Sequence, residues 1–159
     1  MSVTVRVATL ADAPLILSFI RELADYERLL HEVEATEADI RRDLFGENPR
    51  AFCEIAEHDG QPVGFALWFY NYSTFRGRAG IYLEDLFVRP EARGEGAGKA
   101  LLAKLAKRCV DADLGRLEWA VLNWNTPSIE FYDSLGASRK DDWTVRRLDG
   151  EALERLAAS

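Results

Sequence analysis

Residues 82–99 read Tyr82-Leu83-Glu84-Asp85-Leu86-Phe87-Val88-Arg89-Pro90-Glu91-Ala92-Arg93-Gly94-Glu95-Gly96-Ala97-Gly98-Lys99. An apolar run gives way to a basic, glycine-rich turn, and the turn opens onto helical spacing. Gly94, Gly96 and Gly98 carry no Cβ, so the backbone there can adopt φ > 0 and aim successive N–H groups at an anion. The helix that follows adds the positive end of its dipole at the same point. Arg93 and Lys99 supply charge. The chemistry this pattern serves is the holding of a pyrophosphate.

Two other phosphate-binding patterns do not fit. A dinucleotide fingerprint spaces its glycines G-x-G-x-x-G, whereas here they fall G-x-G-x-G, and no acidic residue after a second strand completes such a unit. A Walker loop needs a hydroxyl after its lysine to hold magnesium, and Lys99 is followed by Ala100.

Glu84 and Asp85 interrupt the apolar run just upstream. Successive strand residues face opposite sides, so the two cannot share one surface unless the strand is bulged. A buried carboxylate without a partner costs several kcal/mol, so each must be paired or open onto a cleft. An ordinary charged hairpin pair is the plain alternative.

The elements that position these residues follow from periodicity and punctuation. Residues 3–8 alternate as a strand, and Thr9 with Asp12 caps a helix over about 11–30, with Pro14 in its first turn. Leu15, Ile16, Phe19, Ile20 and Leu23 form its buried face. Thr36 and Asp39 repeat the capping signal before a helix ending near Gly46. Residues 51–57 and 63–72 are expected strands joined at Asp59-Gly60-Gln61-Pro62, and 80–88 a third. A helix over about 97–113, a strand over 117–122 and a helix capped by Thr126-Pro127 and closed by Gly136 come next. A last strand is expected over 143–148 and a short helix over 150–158. The order β-α-α-β-β-β-α-β-α-β predicts one α+β domain spanning 1–159, around one mixed sheet.

Composition narrows the partners. The 159 residues are 48 % hydrophobic, as in ordinary globular proteins, and no apolar run approaches the ~20 residues of a membrane-spanning helix. The N-terminus lacks the basic and apolar regions of a signal peptide, so a cytoplasmic location and no membrane partner are expected. A net charge of −7 argues against nucleic acid and suits a cationic partner. Two histidines and two separated cysteines, Cys53 and Cys109, give no ligand pattern, so no metal is expected. Cys109 also lacks a neighbouring base, and no other residue is a convincing covalent nucleophile.

Arg93 to Gly98 matches R-x-x-G-x-G, and this stretch resembles the acetyl-CoA loop of the GNAT N-acetyltransferases. Asn123 to Ala137 is similar to the N-x-x-x-x-x-F-Y-x-x-x-G-A helix of the same superfamily. Residues 21–27 (Arg-Glu-Leu-Ala-Asp-Tyr-Glu), Tyr82-Leu83-Glu84-Asp85 and Trp124-Asn125-x-Pro127-Ser128-Ile129-x-Phe131-Tyr132 most resemble its diamine branch, the spermidine/spermine and thialysine N-acetyltransferases. The resemblance runs nearly end to end. It implies a three-layer α/β/α fold, a mostly antiparallel sheet, and acetyl-CoA as cosubstrate. It further implies transfer to a primary amine of a small molecule by direct attack in a ternary complex, and a homodimer with the C-terminal segment near the partner.

The resemblance also implies roles. Tyr132 is the general acid: a phenol of pKa ~10 stays protonated at neutral pH and can donate to a thiolate whose parent acid lies near ~8.5. The plain alternative is a core partner for Phe131. Glu84 binds the amine and removes its proton through a water, while Asp85, Tyr26 and Glu27 contact the cationic substrate. The strand segment Leu86, Phe87 and Val88 pairs with the pantetheine arm as an added strand would. Arg93, Gly94, Glu95, Gly96, Ala97, Gly98 and Lys99 hold the pyrophosphate, with Asn125, Ser128 and Tyr132 also against the cofactor. Phe75 stands where polyamine enzymes often carry tryptophan, Arg76 and Arg78 put positive charge near the expected substrate mouth, and Arg146 and Arg147 add more on the last strand. That charge would repel a long tri- or tetra-amine and keeps lysine-like amines level with diamines. A protein N-terminal or lysine acetyltransferase, or a non-catalytic acetyl-CoA sensor, are the alternatives.

Overall fold

The computed structural model describes residues 2–159. Two compact units divide the chain after Leu122. The first is built on a five-stranded sheet in the order β1-β2-β3-β4-β5: β1 Val3–Val7, β2 Phe52–His58, β3 Gln61–Ser73, β4 Arg78–Val88 and β5 Leu117–Trp119. Each neighbouring pair from β1 to β4 is antiparallel and β5 joins β4 in parallel, so the sheet is mixed and mostly antiparallel, as expected. The β2–β3 turn is the two-residue Asp59-Gly60, both at positive φ, the geometry a tight hairpin requires.

Helices α1 (Ala13–Tyr26) and α2 (Glu37–Phe45) cover one face, and α3 (Ala97–Asp111) packs across β1–β4 on the other. Ile16, Phe19 and Leu23 of α1 meet Cys53, Ile55, Phe65 and Phe87 of the sheet, with Phe19 stacked on Phe65 at 5.3 Å between ring centres. The Thr36 cap is made as the sequence implies: its hydroxyl accepts from the Asp39 N–H at 3.2 Å. The α3 side of the sheet carries a buried acid. Glu54, 1 % exposed, accepts from Trp68 Nε1 at 2.5 Å and from the Arg108 guanidinium.

The second unit holds α4 (Thr126–Ser134) and α5 (Gly150–Ala157). Three expectations are corrected here and in the first unit. The first helix is shorter than 11–30: a 3₁₀ turn over Leu10–Asp12 precedes α1, and the chain turns through Arg28 at φ 63° after it. Strand β5 stops at Trp119 rather than 122. Residues 143–148 form no strand; Trp143 and Val145 alternate as a strand would but stand 81 % and 85 % exposed. Alternation records only that one face wants cover, not that the sheet supplies it.

Candidate active site

The β3–β4 ladder contains a register shift. Leu67 faces Asp85 and Trp68 faces Leu83, so Glu84 has no partner and forms a β-bulge. The bulge reverses the alternation within β4. Leu83 joins Trp68 on the α3 side, while Asp85 joins Leu67 and Cys53 on the α1 side. This is the bulge that would let the two adjacent acids share one surface. At the same point β4 parts from β5, whose pairing covers only Ile81–Leu83. Residues 84–88, including the expected cofactor-pairing Leu86, Phe87 and Val88, leave that edge of β4 without a β5 partner.

Glu27, just past the end of α1, belongs to the same acidic group. Burial is the first cause that raises its carboxyl above the usual range, and the nearby Glu84 charge is the second. Asp85 is pushed up to about 7, by burial first and then by Glu84 and Glu27. Tyr82, which sequence reasoning passed over, has its phenol raised by burial and by Glu84 and Glu118. Its signal was its place two residues before the bulged acid. Three carboxylates converging on one place create a field that a cation relieves.

The sign of the Asp85 shift gives a stability prediction. The folded protein keeps this proton up to about pH 7, whereas the unfolded chain releases it near ~4. Between those values the unfolded state binds fewer protons, so stability falls as pH rises. Asp85→Asn is expected to remove this contribution and to unfold at a higher temperature than the parent at pH 8. Thermal melts from pH 4 to 8 that run parallel for both proteins would refute it.

The glycine turn is built partly as expected. Gly94 and Gly96 sit at φ 84° and 91°, whereas Gly98 lies inside α3 and needs no special conformation. The first bond of α3 runs from the Ala100 N–H to the Gly96 carbonyl at 2.9 Å. The amides of Ala97, Gly98 and Lys99 therefore precede the helical ladder, as donors free for an anion. Glu95 and Lys99 are exposed beside them. A pyrophosphate fits these donors and this charge.

The expected basic cluster is largely committed elsewhere. Arg89 donates to both oxygens of Glu22, at 3.0 and 3.1 Å, and lies over the Phe19 ring. Arg93 Nε donates to the Val88 carbonyl at 2.9 Å, and its guanidinium stands 4.8 Å from the Tyr26 ring centre. The arginines expected at the substrate mouth are also engaged. Arg76 donates to the Gly115 carbonyl at 3.3 Å and Arg78 pairs with Asp113 at 3.0 Å, while Phe75 is fully exposed at the hairpin tip.

In the second unit, Asn125 is buried and its side chain accepts from the Ser128 N–H at 3.4 Å. It, rather than Thr126-Pro127, caps α4. Tyr132 is half-buried on α4, its ring 5.6 Å from that of Phe131. Its main-chain carbonyl accepts from Leu135 and Ala137 where Gly136, at φ 84°, ends the helix.

Comparison with known proteins bears on this arrangement. The model of the Acetyltransferase (GNAT) family matches residues 16–137. A thialysine N-epsilon-acetyltransferase of Sus scrofa is 41 % identical over 167 aligned positions, covering 98 % of each chain. An L-ornithine N5-acetyltransferase of Arabidopsis thaliana is 31 % identical, covering 96 % of this chain and 86 % of its own. Among solved structures, an integron cassette protein from the mobile metagenome of V. cholerae superposes with a TM-score of 0.82 at 29 % identity, covering 100 % of this chain and 99 % of its own.

Proposed function

Because the chain belongs to the acetyltransferase (GNAT) family, we propose that it moves an acetyl group from acetyl-CoA to the side-chain amine of a small amino acid of the thialysine or ornithine kind. The observation that carries this reading is the bulged Glu84, set beside Asp85 and Glu27 where β4 leaves β5. The named activities of relatives matched along nearly their whole length support the substrate class. Polyamines rank second, although the engaged Arg76 and Arg78 no longer count against them.

Each demand of the reaction has a residue. The alkylammonium, of pKa ~10.4, must lose a proton before it attacks. The acidic group draws the cation in, and Glu84, exposed on the bulge, accepts that proton through a water. The incoming positive charge also favours ionised Asp85, so binding amine and discharging the Asp85 proton are coupled. Acetyl-CoA supplies the acetyl group as an activated thioester. The amides of Ala97, Gly98 and Lys99 hold its pyrophosphate, the freed edge of β4 at 86–88 pairs with its arm, and Tyr132 gives a proton to the departing sulfur. Transfer is direct: Cys53 is buried with its thiol pushed up, first by burial, which leaves no reactive thiolate for a covalent route.

The active form is a homodimer on this reading, because Trp143, Val145, Leu148, Leu153 and Leu156 of the second unit are exposed apolar side chains close in sequence. The test is free-thiol release from acetyl-CoA across thialysine, lysine, ornithine, putrescine, spermidine and a lysine peptide, with the mass of the active species read by sedimentation. Preference for the amino acids, in a species of twice the 17.9 kDa chain, is expected. Turnover of the peptide alone would move the assignment to a protein acceptor, binding of acetyl-CoA with no turnover would make the protein a sensor, and an active monomer would remove the dimer.

A further inference from the structure

Arg93 occupies the first position of the cofactor loop, yet its guanidinium is committed to the protein. Its Nε donates to the carbonyl of Val88, the last residue of β4, at 2.9 Å. The guanidinium carbon lies 4.8 Å from the centre of the Tyr26 ring and 5.8 Å from that of Phe87. Tyr26 closes α1 and is followed by Glu27, a member of the acidic group. One side chain therefore touches the cofactor loop, the end of the bulged strand and the end of the helix that carries the acids.

We propose that Arg93 is a positioning residue, not a phosphate ligand: it ties the cofactor loop to the amine-binding end of α1. The inference rests on the placement of the amine beside Tyr26 and Glu27. The physical argument is geometric. A guanidinium that holds a carbonyl through Nε and lies over an aromatic ring fixes the distance between the two elements. Nε and a face of the guanidinium are taken by the protein, which leaves an anion only the terminal nitrogens. Lys99 and the three helix-start amides provide for the anion without it. The feature of Tyr26 that lies against the Arg93 guanidinium is its ring.

The test compares acetyl-CoA with acetyl-pantetheine, which has the same thioester and arm but no pyrophosphate. Arg93→Met is expected to raise the KM for amine by about three- to tenfold with either thioester, with kcat changed less. The same change made in a Tyr26→Leu background should have little further effect, whereas in Tyr26→Phe, which keeps the ring, it should have its full effect. A loss confined to acetyl-CoA, with amine KM unmoved, would make Arg93 a phosphate ligand and overturn the proposal. Additive effects of Arg93→Met and Tyr26→Leu would overturn it too. Binding of CoA and of pantetheine, measured without turnover, separates the two possible failures. Equal weakening of both by Arg93→Met supports the tie even if no amine is acetylated, and selective weakening of CoA refutes it even in an active enzyme.

Discussion

Replacing Tyr132 by phenylalanine is expected to lower kcat by about 10²- to 10³-fold while moving the KM for acetyl-CoA by less than about threefold. A thiol and a phenol of ordinary acidity differ by only ~1.5 pKa units, so in the proposed role proton delivery carries no large uphill step. The phenylalanine leaves the rest of the helix intact. The ring that meets Phe131 is retained, and the bonds that close α4 use the main-chain carbonyl of residue 132, which the substitution does not touch. Steady-state kinetics with the preferred amine checks this, and retention of more than a third of wild-type kcat would remove Tyr132 from the chemistry. The loss should also be steepest for the thioester with the most basic leaving thiol, because that thiolate most needs the proton.

The second large effect concerns stability. Glu54→Met is expected to cost about 3–5 kcal/mol, because it strands the Arg108 guanidinium and the Trp68 indole N–H that both donate to the carboxylate. Arg108 also lies 5.5 Å from the Trp68 ring centre, so the three residues act as a unit across β2, β3 and α3. The double variant Glu54→Met/Arg108→Met removes the stranded charge and should recover much of the loss. Urea midpoints of the two single variants and the double variant measure this. A loss below about 1 kcal/mol for Glu54→Met would show that water reaches Arg108 readily and that the pair contributes little.

These residues also show what could be read from the chain and what could not. The Thr36–Asp39 cap, the Asp59-Gly60 turn and the α1 face are local, and each is present. Glu84 and Asp85 could share one surface only if the strand bulged there, and the strand is bulged at Glu84. Partners distant in sequence were not legible. No spacing joins Glu54 to Arg108, 54 residues away, although the two are bonded. Likewise the arginines at 76, 78, 89 and 93 carried a basic signal, but each is engaged by a carboxylate, a carbonyl or a ring that no spacing announces. The exposed stretch 143–148 marks the opposite error, a strand pattern with no ladder.

The bulge at Glu84 gives β4 an unusual tolerance. Losing one residue from a strand ordinarily turns everything beyond the cut inside out, since odd and even positions exchange faces. In β4 the exchange is already built in: Leu83 faces α3 and Asp85 faces α1, although two steps apart they should agree. Excising Glu84 would make them adjacent and restore strict parity, leaving every other side chain of the strand on its present face. The position of Glu84, proposed above to take the amine's proton, is thus the one place in β4 where a single codon can be deleted without scrambling the core. The residue proposed for the chemistry is supernumerary to the sheet, so the two demands on this strand are separable.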